Sequence, residues 1–159
     1  MGEDPQNIHV VGCPSIDIAR MSLSHEPNLT PYNGIGPKIN IEDPLLMVLQ
    51  HPVTTVGANS RQQIEITLTA IHELGYPTIW LSPNVYAGSS EMENEIRRFR
   101  ERFNCNICFY RSFEPMDFYA LLSKTSVFIG NSSSAIREGA FLGTPCVNIG
   151  SRQQGREHA

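Results

Sequence analysis

The sequence predicts an α/β fold, a parallel sheet with helices packed on both faces. Two observations carry that expectation. From Pro44 onward, a short apolar run followed by a stretch of helical spacing recurs four times, and a further apolar run begins at Cys146. The runs are also continuously apolar, as Leu45-Leu-Met-Val-Leu-Gln50 shows, and that is how a strand covered on both faces reads.

At 159 residues the chain has the size of one domain. A net charge of -4 and the lack of a basic run argue against a nucleic-acid partner. No apolar stretch is long enough to span a bilayer, so no membrane partner is expected. The N-terminus, Met1-Gly-Glu-Asp-Pro-Gln-Asn7, is polar and acidic, unlike a secretory signal. The four cysteines, Cys13, Cys105, Cys108 and Cys146, sit mostly in strand-like runs and are expected to be buried and reduced, which suits a cytoplasmic protein. Cys105 and Cys108 have metal or redox spacing, but no second pair or nearby histidine pair completes a site, so no metal is expected.

In chain order, Ile8–Val11 reads as a short strand, and Ser15 as the cap of a short helix through Ile16–Arg20. Residues 24–44 hold four prolines and little periodicity, marking a linker, a functional loop or a disordered segment. The chain divides accordingly into residues 1–20, a proline-rich loop or linker at 21–44, and the α/β unit from 45 to 159. Ser60–Leu74 carries Ile64, Leu68 and Ile71 at helical spacing and stops at Gly75. Thr78–Leu81 is a strand. Ser89 or Ser90 caps the next helix, whose acidic start and arginine-rich end complement the helix dipole and read mostly as a solvated face. Asn106–Tyr110 is a strand, Met116–Ser123 a helix and Val127–Ile129 a strand.

After that last strand come Gly130, Asn131 and Ser132–Ser134, then Ile136, Ala140 and Phe141 at roughly helical spacing. The small polar residues read as a helix start capped by serine or asparagine, and such a start also suits a phosphate. Gly143-Thr-Pro145 ends the helix. In open parallel sheets ligands bind at the carboxyl ends of the strands. That rule selects His51, Asn84, Arg111–Phe113 and Asn131–Ser134. Each has a plain alternative: His51 and Asn84 are turn residues beside prolines, and Arg111 snorkels or pairs with Glu114. Glu138 either gains from the dipole or, if the serines hold a diphosphate, grips the hydroxyls of the adjoining sugar. Arg152 returns a positive charge to the same place. No glycine-rich dinucleotide or P-loop fingerprint is present, and no cofactor is expected.

Gln50-His-Pro-Val-Thr-Thr55, Ser82-Pro-Asn-Val-Tyr-Ala-Gly-Ser89, Ile129-Gly-Asn-Ser-Ser-Ser134, Arg137-Glu138, Gly143-Thr-Pro145 and Gly150-Ser-Arg-Gln-Gln-Gly-Arg-Glu157 resemble the UDP-N-acetylglucosamine 2-epimerases. The hydrolysing branch, which serves sialic-acid biosynthesis, is the nearest match. The resemblance runs from about Gly12 to the end, with Gly12-Cys-Pro-Ser15 similar to the crossing between domains.

The resemblance implies the second, UDP-binding Rossmann-like half of a B-type glycosyltransferase arrangement, truncated at its C-terminus. On it, His51 is catalytic and approaches the diphosphate, and Asn84 lies in the UDP pocket. Arg111, Ser112 and Phe113 lie by the uracil. Ser132 and Ser133 hold phosphate, Glu138 takes the ribose hydroxyls, and Arg152 lies near phosphates and sugar. It further implies loss of UDP from carbon 1 and of a proton from carbon 2, with water then adding to yield N-acetylmannosamine. The carboxylates that move that proton belong to the missing N-terminal half. Partners are UDP, UDP-N-acetylglucosamine and that other half, and the exposed cleft face favours a homo-oligomer. The alternatives are the donor-binding half of a B-type glycosyltransferase, an epimerase of a related UDP-diacetamido sugar, and a non-enzymatic nucleotide-sugar sensor.

Overall fold

A computed structural model describes residues 2–53 and 60–156. Five parallel strands form one sheet: β1 (Leu46–Leu49), β2 (Thr78–Leu81), β3 (Ile107–Tyr110), β4 (Val127–Gly130) and β5 (Cys146–Asn148), in the order β3-β2-β1-β4-β5. The helices are α1 (Pro14–Ser22), α2 (Ser60–Leu74), α3 (Ser89–Arg102) and α4 (Pro115–Lys124). A π turn over Ala135–Gly139 then runs into a last α turn, α5 (Ala140–Leu142).

Strand periodicity divides the core into two layers. On one face Met47, Leu49, Ile79, Leu81, Cys108, Tyr110 and Phe128 pack against Leu121 and Leu122 of α4 and Ala135 of the π turn. On the other, Val48, Trp80, Phe109 and Ile129 meet Ile64 and Leu68 of α2 and Met92, Ile96 and Phe99 of α3. Every residue of β1, β2 and β3 is buried, which is why these runs carry no polar alternation. The chain winds from β1 outward to β3, then returns to the other side of β1 with β4 and β5. Strand order therefore reverses between β1 and β4, and a crevice opens there at the carboxyl ends. The expected Rossmann-like α/β class is the fold observed.

Several local expectations are corrected. Residues 8–11 form no strand: Val10 is 98% exposed and lies against no sheet edge. Pro14, not a serine cap, opens α1, and the N-cap Cys13 makes no capping bond. Proline suits this first helical position because its missing N–H would have had no partner. At α3 the N-cap is Gly88, and Ser89 spends its hydroxyl on the carbonyl of Tyr86. Within α3, Glu95 is buried and paired with Arg61 and Arg98, so this face is not wholly solvated. The cysteines are free, as expected, but only Cys108 is buried, and Cys146 is exposed on the edge strand.

The proline-rich stretch does not stand away from the sheet. Ile35 pairs with Phe109 of β3 as a single antiparallel bridge, Ile39 is buried, and Leu29, Tyr32 and Ile41 pack on the first core layer. Among the described residues, no helix is long and apolar enough to cross a membrane.

Candidate functional site at the reversal of strand order

Gly130, the last residue of β4, fixes how closely β4 and β1 approach. A Cβ built on it falls 2.0 Å from the carbonyl oxygen of Leu49, and its φ of 151° is one that side-chain-bearing residues rarely adopt. The tight approach delivers Asn131 to the backbone of His51. The His51 N–H donates to Asn131 Oδ1 at 2.7 Å, and Asn131 Nδ2 donates to the His51 carbonyl at 2.9 Å. Asn131 therefore does not cap the following helix. That role falls to Ser132, whose Oγ accepts from the N–H of Ser134 at 3.3 Å.

His51 is 3% exposed. Its Nδ1 accepts from the backbone N–H of Asn84 at 3.2 Å, which places the ring proton of the neutral form on Nε2. Burial, with a smaller contribution from the positive charge of Arg152, pushes the imidazole down to about 4. At pH 7 the ring is a neutral N–H donor. Tyr86 meets it edge-on, with ring centroids 5.8 Å apart.

Arg152 lies over the face of Tyr86 at 5.7 Å and donates to the Asn131 carbonyl at 2.9 Å. Gln153 donates to the same oxygen at 2.6 Å. The residues after β5 are thus tied to the turn that presents the serines.

Glu138 has an accessible surface of 0%. The π turn places its carboxylate inward, and neither oxygen receives a hydrogen bond. A nitrogen of Arg137 lies 3.1 Å from Oε1, close enough for charge attraction but outside hydrogen-bonding geometry. A buried carboxylate without donors is costly, and π turns of this kind occur frequently at functional sites.

Asn131 thus bonds directly to His51 and Arg152, Asn84 joins through the His51 ring, and Ser132 and Ser133 follow Asn131 in the same turn. Arg111–Phe113 stands apart. It follows β3, two strands from β1 in the sheet, or about 10 Å at ordinary strand spacing. Arg111 and Ser112 are exposed, and Phe113 packs between Tyr110 and Tyr32. Tyr86 and Gln153 were absent from the expected site. Both lie within the motifs that marked it, so proximity to Asn84 and Arg152 was the available signal. Thr54, Thr55 and Glu157, also parts of those motifs, lie outside the described residues. Among the described residues no cluster of histidine, cysteine or acidic side chains could hold a metal ion.

The family model described as UDP-N-acetylglucosamine 2-epimerase matches residues 1–159. A Neisseria meningitidis serogroup B protein named UDP-N-acetylglucosamine 2-epimerase is 28% identical over 165 residues, covering 98% of this chain and 40% of that protein. A Legionella pneumophila UDP-N,N'-diacetylbacillosamine 2-epimerase (hydrolyzing) is 27% identical over 160 residues, covering 100% of this chain and 41% of its own. The chain therefore spans about two fifths of the length of these curated relatives. A crystal structure from Listeria monocytogenes, assigned as a UDP-N-acetylglucosamine 2-epimerase, superposes with a TM-score of 0.62 at 15% identity. The match covers 96% of this chain and 39% of that one, and supports the fold alone. With the family model matched along its whole length, this chain belongs to the UDP-N-acetylglucosamine 2-epimerase family.

Proposed function

We propose that the chain is the UDP-binding half of a hydrolysing UDP-N-acetylglucosamine 2-epimerase, and that its crevice between β1 and β4 holds the nucleotide diphosphate. The observation that carries this reading is the fully buried, donor-less carboxylate of Glu138, one helical turn beyond the serines. A ribose diol would supply the two donors it lacks. Ser132 and Ser133 then meet the phosphates at the helix start, with Asn84 beside them. Arg111, Ser112 and Phe113 lie about 10 Å away, far enough to meet the uracil.

In this reading His51 is the catalytic residue on this half. Because its imidazole is depressed to about 4, it acts as an Nε2–H donor that stabilises negative charge on departing UDP. Arg152 adds a positive charge at the same place. Preorganised donors of this kind typically contribute on the order of 10²–10³ in rate. UDP leaves carbon 1 as a proton is lost from carbon 2, giving a 2-acetamidoglucal, and addition of water yields N-acetylmannosamine. The groups that move the carbon 2 proton lie, on this reading, in the N-terminal half. A UDP-diacetamido sugar is the second reading, favoured by the name of the Legionella relative, since the same UDP half serves either sugar.

Calorimetric titration with UDP tests the site, beside a Ser133→Ala, Glu138→Ala double variant. Binding by the parent that the variant loses supports the assignment. A folded parent that does not bind UDP overturns it for this chain. Turnover by the full-length protein, assayed for free N-acetylmannosamine against its 4-acetamido analogue, separates the two sugars. The isolated chain is expected to show no turnover.

A further inference from the structure

The start of α4 is closed by a residue from outside the helix. In an ordinary capping box, an acidic residue at the third helical position reaches back to the backbone N–H of the N-cap. Here the N-cap is Glu114 and the third position is Asp117, but the hydroxyl of Tyr32 stands between them. The Glu114 N–H donates to Tyr32 Oη at 3.0 Å, and that hydroxyl donates to Asp117 Oδ2 at 2.5 Å. The other carboxylate oxygen of Asp117 is 2.8 Å from His25 Nε2 and accepts from the Asn28 N–H at 3.1 Å. Burial alone would raise this carboxyl, but the hydrogen bonds from Tyr32, His25 and Asn28 outweigh it and hold it below its ordinary value, so it is ionised at neutral pH.

The tyrosine has a second contact. Its ring meets Phe113 edge-on, with centroids 4.7 Å apart, while Ile35, three residues later, hydrogen-bonds in both directions with Phe109 of β3. One segment of the proline-rich stretch therefore grips both the strand before the 111–113 turn and the helix cap after it.

We propose that Tyr32 is a positioning residue that sets the selectivity of this site for its nucleotide base, by fixing the 111–113 turn from outside the sheet. The inference rests on the reading above that this turn meets the uracil. Base edges are discriminated by polar groups held in place, and a turn free to shift by an ångström would lose that discrimination. The side-chain contacts that tie Tyr32 down are made with Glu114, Asp117 and Phe113, and the diphosphate crevice lies about 10 Å away across the sheet. Base selectivity and diphosphate affinity should therefore separate.

The test is calorimetric titration of the chain with UDP, ADP and inorganic pyrophosphate, for the parent, Tyr32→Phe and Asp117→Asn. Tyr32→Phe keeps the ring on Phe113 and removes the hydroxyl. It is expected to weaken UDP about tenfold, the scale of one lost hydrogen bond, with ADP and pyrophosphate nearly unchanged. The preference for UDP over ADP then falls by the same factor. Asp117→Asn removes the charge that the hydroxyl addresses and is expected to lower the preference in the same direction, which provides the answer if Tyr32→Phe does not fold. An unchanged preference in a folded variant, or equal weakening of all three ligands, overturns the proposal. A parent that binds UDP with such a preference while the variants keep it refutes the role of Tyr32 alone. A folded parent without UDP binding refutes the reading of the turn and this inference with it.

Discussion

Asn131 and His51 hold each other by two hydrogen bonds between one side-chain amide and one backbone unit, 2.7 and 2.9 Å long, across the point where strand order reverses. The pair joins the end of β1 to the turn after β4 and is buried. It gives the crevice a rigid floor, because either residue moving alone leaves a buried donor or acceptor unpaired.

Replacing Asn131 by Leu is accordingly expected to cost about 2–4 kcal/mol, since two backbone groups of His51 lose their partners in a dry site. Urea unfolding curves measure this as a lower midpoint. Asn131→Asp should also destabilise, because a carboxylate cannot donate to the His51 carbonyl.

His51 makes stability depend on pH in a stated direction. Its ring titrates near 6.5 when unfolded and at about 4 when folded, so between those values the unfolded chain binds the extra proton. Stability contributed by the neutral ring is complete above pH 6.5 and declines as pH falls towards 4, by about 3 kcal/mol in all. Asp117, depressed below 3.8, adds its own loss only at still lower pH. Denaturant midpoints at pH 7, 5.5 and 4.5 should fall more steeply for the parent than for a folded His51→Gln variant. Equal slopes would refute the assignment.

Glu138→Gln is expected to separate stability from binding. Removing a buried charge that receives no hydrogen bond should leave the midpoint of thermal unfolding unchanged or raise it by a few degrees. UDP affinity should fall by about tenfold or more, because a glutamine amide accepts at one oxygen where the carboxylate accepts at two. Calorimetry and a melting curve on the same sample check both halves. A variant that melts much lower would show that the carboxylate serves the fold.

Gly130→Ala should be severe. The added carbon falls 2.0 Å from the Leu49 carbonyl oxygen, in a backbone conformation that alanine disfavours. A loss of about 3 kcal/mol or more is expected, from strain plus displacement of β4. Because β4 carries the serine turn, nucleotide binding should weaken along with stability. A variant with the parent's unfolding midpoint would contradict the close approach.

Periodicity along the chain was sufficient for the elements that form the sheet and its covering helices. Short, mostly apolar runs at 46–49, 78–81 and 107–110, each bounded by turn residues, read as strands buried on both faces, and Ile64, Leu68 and Ile71 can share one face only on a helix. The polar residues that follow the strands also mark His51, Asn84, Arg111–Phe113 and Asn131–Ser134 from the sequence alone. Tertiary structure decided which of them meet. That β4 pairs with β1, and not with β3, is a matter of sheet order, and it alone brings Asn131 to His51 and opens the crevice there. It also decided the errors. Residues 8–11 have the composition of a strand, but they pair with neither sheet edge, and the bridge added at β3 comes from Ile35 in the proline-rich stretch. The cap of α4 was likewise illegible, because the hydroxyl that completes it comes from Tyr32, 85 positions from Asp117 in the chain. Local sequence encodes propensity and burial, which act over a few residues. Pairing across the sheet is chosen by the whole core, and the site lies where that choice places it.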